Sequence, residues 1–376
     1  AKECLTAAEN AYEAAKKHDD LYAPLDQSIG GGPYGDDCAD DEFYWAACEL
    51  YLTTGEKAYL KDLEKSDLAD TVPATLSAGE DADTAGSFDW GNTAALGTLS
   101  LALHKDDLEK KTAEKVTSAI TDAADVHLGR EEQQGYGQPY AQSKLSYADD
   151  DTGYVWGSNS FVADNAVILA AAYDLTGEQN YLNGVISAMD YLLGRNPMDV
   201  SYITGYGSHA VQYPHHRYWA HQISEEYPMA PAGVLVGGPN SGMQDPWVQG
   251  SGWKKGEIAP AKCYLDNIEA WSVNECTINW NAPLAWLTAF VCDANGGIVA
   301  NTGSMASEQL DPSAGDSEES SQTSTSSNQQ NQANDSTEKS SSGTFPWTLV
   351  IVLGVILLGA IIVEVFIYKI VKLKKN

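Results

Sequence analysis

Two carboxylates, Asp266 and Glu275, stand nine residues apart in Tyr264-Leu-Asp-Asn-Ile-Glu-Ala-Trp-Ser-Val-Asn-Glu-Cys-Thr-Ile-Asn-Trp-Asn-Ala282, just ahead of a run rich in Trp, Leu and Phe. A carboxyl among aromatics has its charged form disfavoured, so its pKa rises. A raised pKa lets the group hold a proton near neutral pH and deliver it as a general acid. The competing reading of Glu275 is an acidic group at a helix start, where the helix dipole favours negative charge. Upstream, His209, His215, His216, Arg217 and His221 fall within a short stretch. Imidazole and guanidinium groups suit sugar hydroxyls, and Arg can also fix a carboxylate. Adjacent histidines with no cysteines or paired acids at ligand spacing give only a weak zinc signal. Tyr34, Trp156 and Trp280 offer flat faces with a polar edge, on which a sugar ring can stack; each suits ordinary core packing as well.

Helices must position these groups. Amphipathic or Ala-rich runs cover Ala1–Lys17, Asp41–Thr53, Asn92–His104, Lys111–Leu128, Ser160–Leu175, Tyr181–Leu193 and Thr277–Phe290. An internal echo organises them. Tyr51-Leu-Thr-Thr-Gly-Glu-Lys-Ala-Tyr-Leu60 resembles Tyr173-Asp-Leu-Thr-Gly-Glu-Gln-Asn-Tyr-Leu182. In both, a helical run ends at a glycine and a second helix begins three or four residues later, so Gly55 and Gly177 are predicted left-handed C-terminal caps. Repeated antiparallel hairpins of this kind build helical toroids or solenoids. No convincing strand-rich segment precedes the C-terminal apolar run.

The pattern aromatic-x-Asp-x4-aromatic-x3-Glu-x-Thr-x3-Asn-Ala, met at every position by Tyr264 to Ala282, resembles the C-terminal active-site signature of family 9 glycoside hydrolases. A second block, Tyr191-Leu-Leu-Gly-Arg-Asn-Pro197 followed by Pro214-His-His-Arg217, resembles the other signature of that family. Gly233-Val-Leu-Val-Gly-Gly-Pro-Asn240 with Asp245 is similar to a family loop of structural role. The resemblance implies an all-α, incomplete (α/α)6 toroid, here over residues 1–297 and without its N-terminal third. It implies an endo-β-1,4-glucanase acting on β-1,4-glucan with inversion and needing no cofactor. Glu275 would be the general acid, supported by Asp266; His215, His216, Arg217, Tyr34, Trp156 and Trp280 would bind substrate. Some members bind structural calcium at the turn represented by Gly31 to Trp45, which makes Asp37, Asp41 and Glu42 candidate oxygen ligands. Equally, Asp40 or Asp41 suits the cap of the helix that follows. A further family ligand, an Asp after a Trp, is replaced here by Trp90-Gly91-Asn92.

The family's catalytic base lies upstream, in an Asp-Ala-Gly-Asp motif that this sequence lacks; Asp81-Ala-Asp83-Thr and Asp122-Ala-Ala-Asp125 are superficial lookalikes. The chain opens at Ala1, inside an amphipathic run, and is expected to have lost its beginning. Inversion needs both an acid and a base around a water, so the chain as it stands is expected to be inactive. The alternatives are a family member acting on another β-glucan or on chitosan oligomers, and a non-catalytic surface glucan-binding protein.

Bulk properties bound the rest. The net charge of −31, from 53 acidic and 22 basic residues, excludes nucleic-acid binding, which needs a basic face. It suits a secreted protein on a neutral polymer, and solubility alone accounts for it equally. Six cysteines form no C-x-x-C pair; most are expected to be small buried residues. Residues 298–346 are rich in Ser, Thr, Asn, Gln and acids and are predicted to be a disordered stalk. Trp347–Tyr368 is an apolar run whose only charge is Glu364. As a helix it would extend roughly 33 Å, enough for a bilayer core of about 30 Å. Lys369, Lys372, Lys374 and Lys375 in the tail 369–376 predict a single-pass cell-membrane protein with a cytoplasmic C-terminus and an extracellular catalytic part.

Overall fold

The computed structural model describes residues 1–19, 21–22, 35, 38–145 and 152–295. Tyr34, Asp37 and the expected stalk, span and tail lie outside them. Among the described residues no helix is long and apolar enough to cross a membrane.

The described chain is helical. In order come α1 (Lys2–Ala15), α2 (Asp40–Thr54), α3 (Lys57–Lys65), α4 (Ala94–Leu103), α5 (Lys110–Gln133), α6 (Ser158–Thr176), α7 (Gln179–Leu192), α8 (Pro246–Gly250), α9 (Trp271–Asn274) and α10 (Ile278–Ala294). Strand structure among these residues is limited to β1 (Ser143–Lys144), antiparallel to β2 (Thr152–Gly153) with Ser143 opposite Gly153, and to isolated bridges.

The two echoed segments fold alike. Gly55 (φ 71°) ends α2 and Gly177 (φ 73°) ends α6, each left-handed. Each donates its N–H one turn back, Gly55 to Tyr51 at 2.8 Å and Gly177 to Tyr173 at 2.7 Å. The preceding threonine completes both caps: Thr54 bonds Leu50 O and receives Glu56 N, and Thr176 bonds Ala172 O and receives Glu178 N. The glycine avoids the Cβ penalty of left-handed backbone, and the threonine satisfies groups that the helix end leaves open.

Helix α6 is the centre of the packing. It contacts α4, α5, α7 and α10, while α2 packs on α3 and α4. Its run Phe161 to Ala172 is buried on nearly every side, as expected for a helix apolar all round. Its polar residues are used inside the protein. Asn165 donates to Ala85 O and Pro139 O, both at 2.9 Å, tying two loops to the core. Buried His127 on α5 meets Ser87 Oγ through Nε2 at 2.8 Å and Arg130 through Nδ1 at 3.1 Å. Arg only donates, so Nδ1 accepts and Nε2 carries the proton.

No two of the described cysteines are bonded. Cys48 and Cys263 are buried, Cys38 and Cys276 half-buried, and Cys4 and Cys292 exposed. The expectation of mostly buried cysteines therefore holds for two of the six positions.

Candidate active site

Between α7 and α10 the chain runs mostly as loops, interrupted by the short α8 and α9, and these loops must bond to one another because their backbone groups lack a helix of their own. Glu275 lies at the centre of that bonding. Its carbonyl accepts Gly237 N at 2.8 Å, Val273 O accepts Gly238 N at 2.9 Å, and Asn274 O accepts His215 N at 2.7 Å. The acid is thus clamped between the segment at 237 and the segment at 215, where His215 and Glu275 form a parallel bridge. The short helix α9 that delivers it is seated by buried Asp245. One oxygen of Asp245 caps α8 through Val248 N, and the other accepts Ser272 N and Ser272 Oγ. Asn240 donates to Ser272 O from the same side.

Beyond Glu275, Thr277 caps α10 by accepting Trp280 N. Asn281 takes Leu235 N at 2.8 Å and donates to Leu235 O at 3.1 Å. These bonds fix the first turn of α10 and with it Trp280.

The Glu275 side chain is half-buried and its Oε2 accepts the indole N–H of Trp156 at 3.2 Å. Burial holds its carboxyl above the usual range; the neighbouring His215 and the Trp156 bond pull the other way without cancelling the rise. A carboxyl so placed can hold a proton for delivery.

Two arms of a cleft meet at Glu275 and Trp156. One, of about 700 Å³, is lined by His215, His216, Arg217, Tyr227, Glu269 and Trp271. The other, of about 250 Å³, is lined by Asp81, Asp89, Trp90, Phe161, Thr277 and Trp280.

Asp266 lines neither arm. Its two oxygens accept Gln212 N at 2.7 Å and Tyr213 N at 2.9 Å. It holds the strand-like segment that carries His215, and Asn274 joins the same cluster by donating to Tyr213 O. His215 Nδ1 lies 2.5 Å from Ile268 O, an acceptor, so Nδ1 carries the proton and the ring orientation is fixed. His216 stacks on Trp219, ring centres 4.0 Å apart, and burial beside His215 depresses its pKa.

The family model for glycosyl hydrolase family 9 matches residues 1–288. The chain belongs to glycosyl hydrolase family 9. It is 45% identical over 299 residues to the cellulose 1,4-beta-cellobiosidase of Acetivibrio thermocellus, covering 77% of this chain and 33% of that protein. It is 41% identical over 296 residues to endoglucanase C of Cellulomonas fimi, covering 78% of this chain and 25% of that protein. The crystal structure of the family 9 endoglucanase J30 superposes with a TM-score of 0.63 at 28% identity, covering 77% of this chain and 49% of the other. The chain thus spans a third or less of those curated relatives and about half of the solved chain.

Within the family 9 chain, Glu275, Trp156, His215, His216 and Arg217 gather around one arm, and Glu275, Trp156 and Trp280 around the other. The sequence reading missed Trp90, Asp89, Asp81 and Trp271. It had set aside Asp81-Ala-Asp83-Thr as a lookalike, whereas Asp81 lines the same cavity as Glu275. No local periodicity signals that approach.

Of the three candidate calcium ligands, Asp41 and Glu42 are among the described residues and Asp37 lies outside them. Buried Asp41 accepts both Thr93 N, at 2.6 Å, and Thr93 Oγ1, at 3.1 Å, from the start of α4. Asn92 turns its amide N–H to Asp89 and Ala78 O. Among the described residues no group of three or more His, Cys, Asp or Glu is placed to hold a metal ion.

Proposed function

We propose that this chain carries the acid side of an endo-β-1,4-glucanase cleft, with Glu275 as the general acid. The observation that carries the reading is the half-buried Glu275 carboxyl, bonded by Trp156 at the junction of two arms lined by aromatic and polar side chains. Glu275 protonates the departing glycosidic oxygen. Aromatic faces hold glucose rings on either side, while His215, His216 and Arg217 bond hydroxyls in the larger arm. Asp266 acts one step removed, by fixing the backbone under His215. The substrate is a β-1,4-glucan, in keeping with relatives named as a cellobiosidase and an endoglucanase.

The reaction proceeds with inversion and requires a second carboxylate to activate water on the opposite face. The sequence contains no Asp-Ala-Gly-Asp motif to supply it. Alone, the chain releases negligible reducing sugar from soluble cellulose. Joined to a family 9 segment bearing that motif, it turns over. Glu275→Gln then lowers the rate by about 10²–10⁴-fold, the usual contribution of positioned acid–base catalysis. A Glu275→Gln enzyme of undiminished rate would remove Glu275 from the mechanism. The apolar run Trp347–Tyr368 anchors the chain in the cell membrane with the catalytic part outside.

A further inference from the structure

Asp81 and Asp89 share the smaller arm with Glu275, Trp90, Trp156 and Trp280. Two tight turns put them there. The first is closed by Leu76 N to Thr84 O and Asp83 N to Leu76 O, both 2.9 Å, with Asp83 left-handed at φ 66°. In the second, Asp89 N donates to Asn92 O at 3.1 Å, and Asp89 Oδ1 accepts Gly91 N at 3.0 Å and Asn92 Nδ2 at 2.8 Å. The intervening strand of loop is tied down at Ala85, whose N–H donates to Ser143 Oγ and whose carbonyl accepts Asn165.

The two carboxyls are therefore not drifting surface groups. Both are half-buried and they sit side by side. Burial first, and then the charge of Asp89 and of Glu80, raise Asp81. Burial raises Asp89 too, but Asn92 and Gly91 favour its ionised form. The pair therefore shares one proton, with Asp81 protonated and Asp89 the acceptor. Buried Asp164, Tyr140 and the acid Glu275 face the same region and add no positive charge. No Lys, Arg or His is among the described residues that line this arm. The surroundings thus suit a neutral polyhydroxyl ligand with an apolar face, because tryptophans cover the face and the carboxyl pair, its one proton held between the two groups, offers acceptor oxygens to sugar hydroxyls.

We propose that Asp81 and Asp89 form a hydroxyl-reading pair that fixes the glucosyl ring bound in the Trp90–Trp280 arm, next to Glu275. They are specificity-determining residues of the cleft, and the inference rests on the glucanase reading of that cleft. The turn at Asp89 engages Oδ1 through its two donors, so lone pairs of the carboxylate remain for Asp81 and for the cavity.

Cellotetraose binding to the 376-residue chain, followed by calorimetry and tryptophan fluorescence, tests it. Wild-type protein binds. Asp89→Asn weakens binding about tenfold or more, the usual cost of losing a hydrogen bond to a charged group. Asp81→Asn, which keeps a donor, stays close to wild type at neutral pH, whereas Asp81→Ala weakens. Wild-type binding declines in alkaline solution as the shared proton leaves, and Asp81→Asn removes that decline. Trp280→Ala reports on the cleft separately. If Trp280→Ala weakens binding while the aspartate variants and the pH profile stay flat, the inference is overturned and the cleft reading survives. If wild-type protein binds no cellotetraose, the cleft reading falls and the inference falls with it. The pH profile needs no substitution, so a poorly folded variant does not shield the claim.

Discussion

Trp156 and Glu275, 119 residues apart in sequence, are joined by an indole N–H that donates to the carboxylate at 3.2 Å. The bond favours the ionised acid, so it offsets part of the rise that burial imposes. The same side chain lines both arms of the cleft. One residue therefore tunes the acid and joins the two halves of the groove.

Trp156→Phe keeps an aromatic face and removes the donor. The Glu275 carboxyl then rises further. A general acid must be protonated to act, so the alkaline limb of the pH–rate profile of the complemented enzyme moves to higher pH. An alkaline limb that stays put or moves down would show that the bond does not govern the acid.

Asp266→Ala removes the acceptor for Gln212 N and Tyr213 N. The half-buried Tyr213 N–H loses its partner, at about 1–3 kcal/mol, while the exposed Gln212 N–H can turn to water. The segment that carries His215 loosens, so melting temperature and turnover fall together. Asp266→Asn, which keeps one carbonyl oxygen, recovers part of both. Full stability in the Asp266→Ala protein would assign Asp266 some other role.

Gly157 caps the start of α6 at φ 76°, and a Cβ there would lie 2.7 Å from the Trp280 indole. Gly157→Ala meets both the left-handed penalty of about 1–2 kcal/mol and a collision with the proposed stacking platform. Lower thermal stability and weaker oligosaccharide binding follow. Binding unchanged in the folded variant would show that Trp280 does not need its present place.

Glu131, half-buried on α5, has its pKa pushed by burial from 4.5 to about 8, with Arg195 opposing. Between those values the native state holds a proton that the unfolded chain has released, so stability falls as pH rises through that window. Burial acts in the same direction on Glu80, Asp164, Asp174 and Glu275. Buried His127 opposes this at low pH. Its pKa is depressed to about 3, so the unfolded chain alone takes up that proton below its ordinary 6.5 and stability is lost as pH falls toward 3. Calorimetry should place the highest melting temperature in mildly acid buffer, with a drop of several degrees by about pH 8.5. Glu131→Gln should flatten part of that drop. A melting temperature that climbs steadily to pH 8.5 would contradict the assignment.

The proposed anchor is tested in intact cells. External protease should cut the stalk at 298–346 and leave the lysine tail protected. The reverse pattern would invert the orientation.

The helical hairpins were legible in the sequence because their determinants are local. The Thr-Gly-Glu caps at Gly55 and Gly177 are satisfied within a single turn of chain. The Glu275 segment was legible as a unit too: Thr277 and Asn281 of its signature bond the cap of α10 and the neighbouring Leu235, so the motif is a compact folding unit. Tertiary structure decided the rest. Asp266 reads as a second active-site carboxylate in sequence, yet its partners are backbone N–H groups 53 and 54 residues away. Asp81 looked like a stray fragment of a motif until two turns, fixed to α6 through Ala85, brought it into the cavity of Glu275. Loops carry no period of 3.6 or 2 to betray such meetings. Their register comes from backbone groups that must find partners once buried, and those partners are set by the packed helices beneath them.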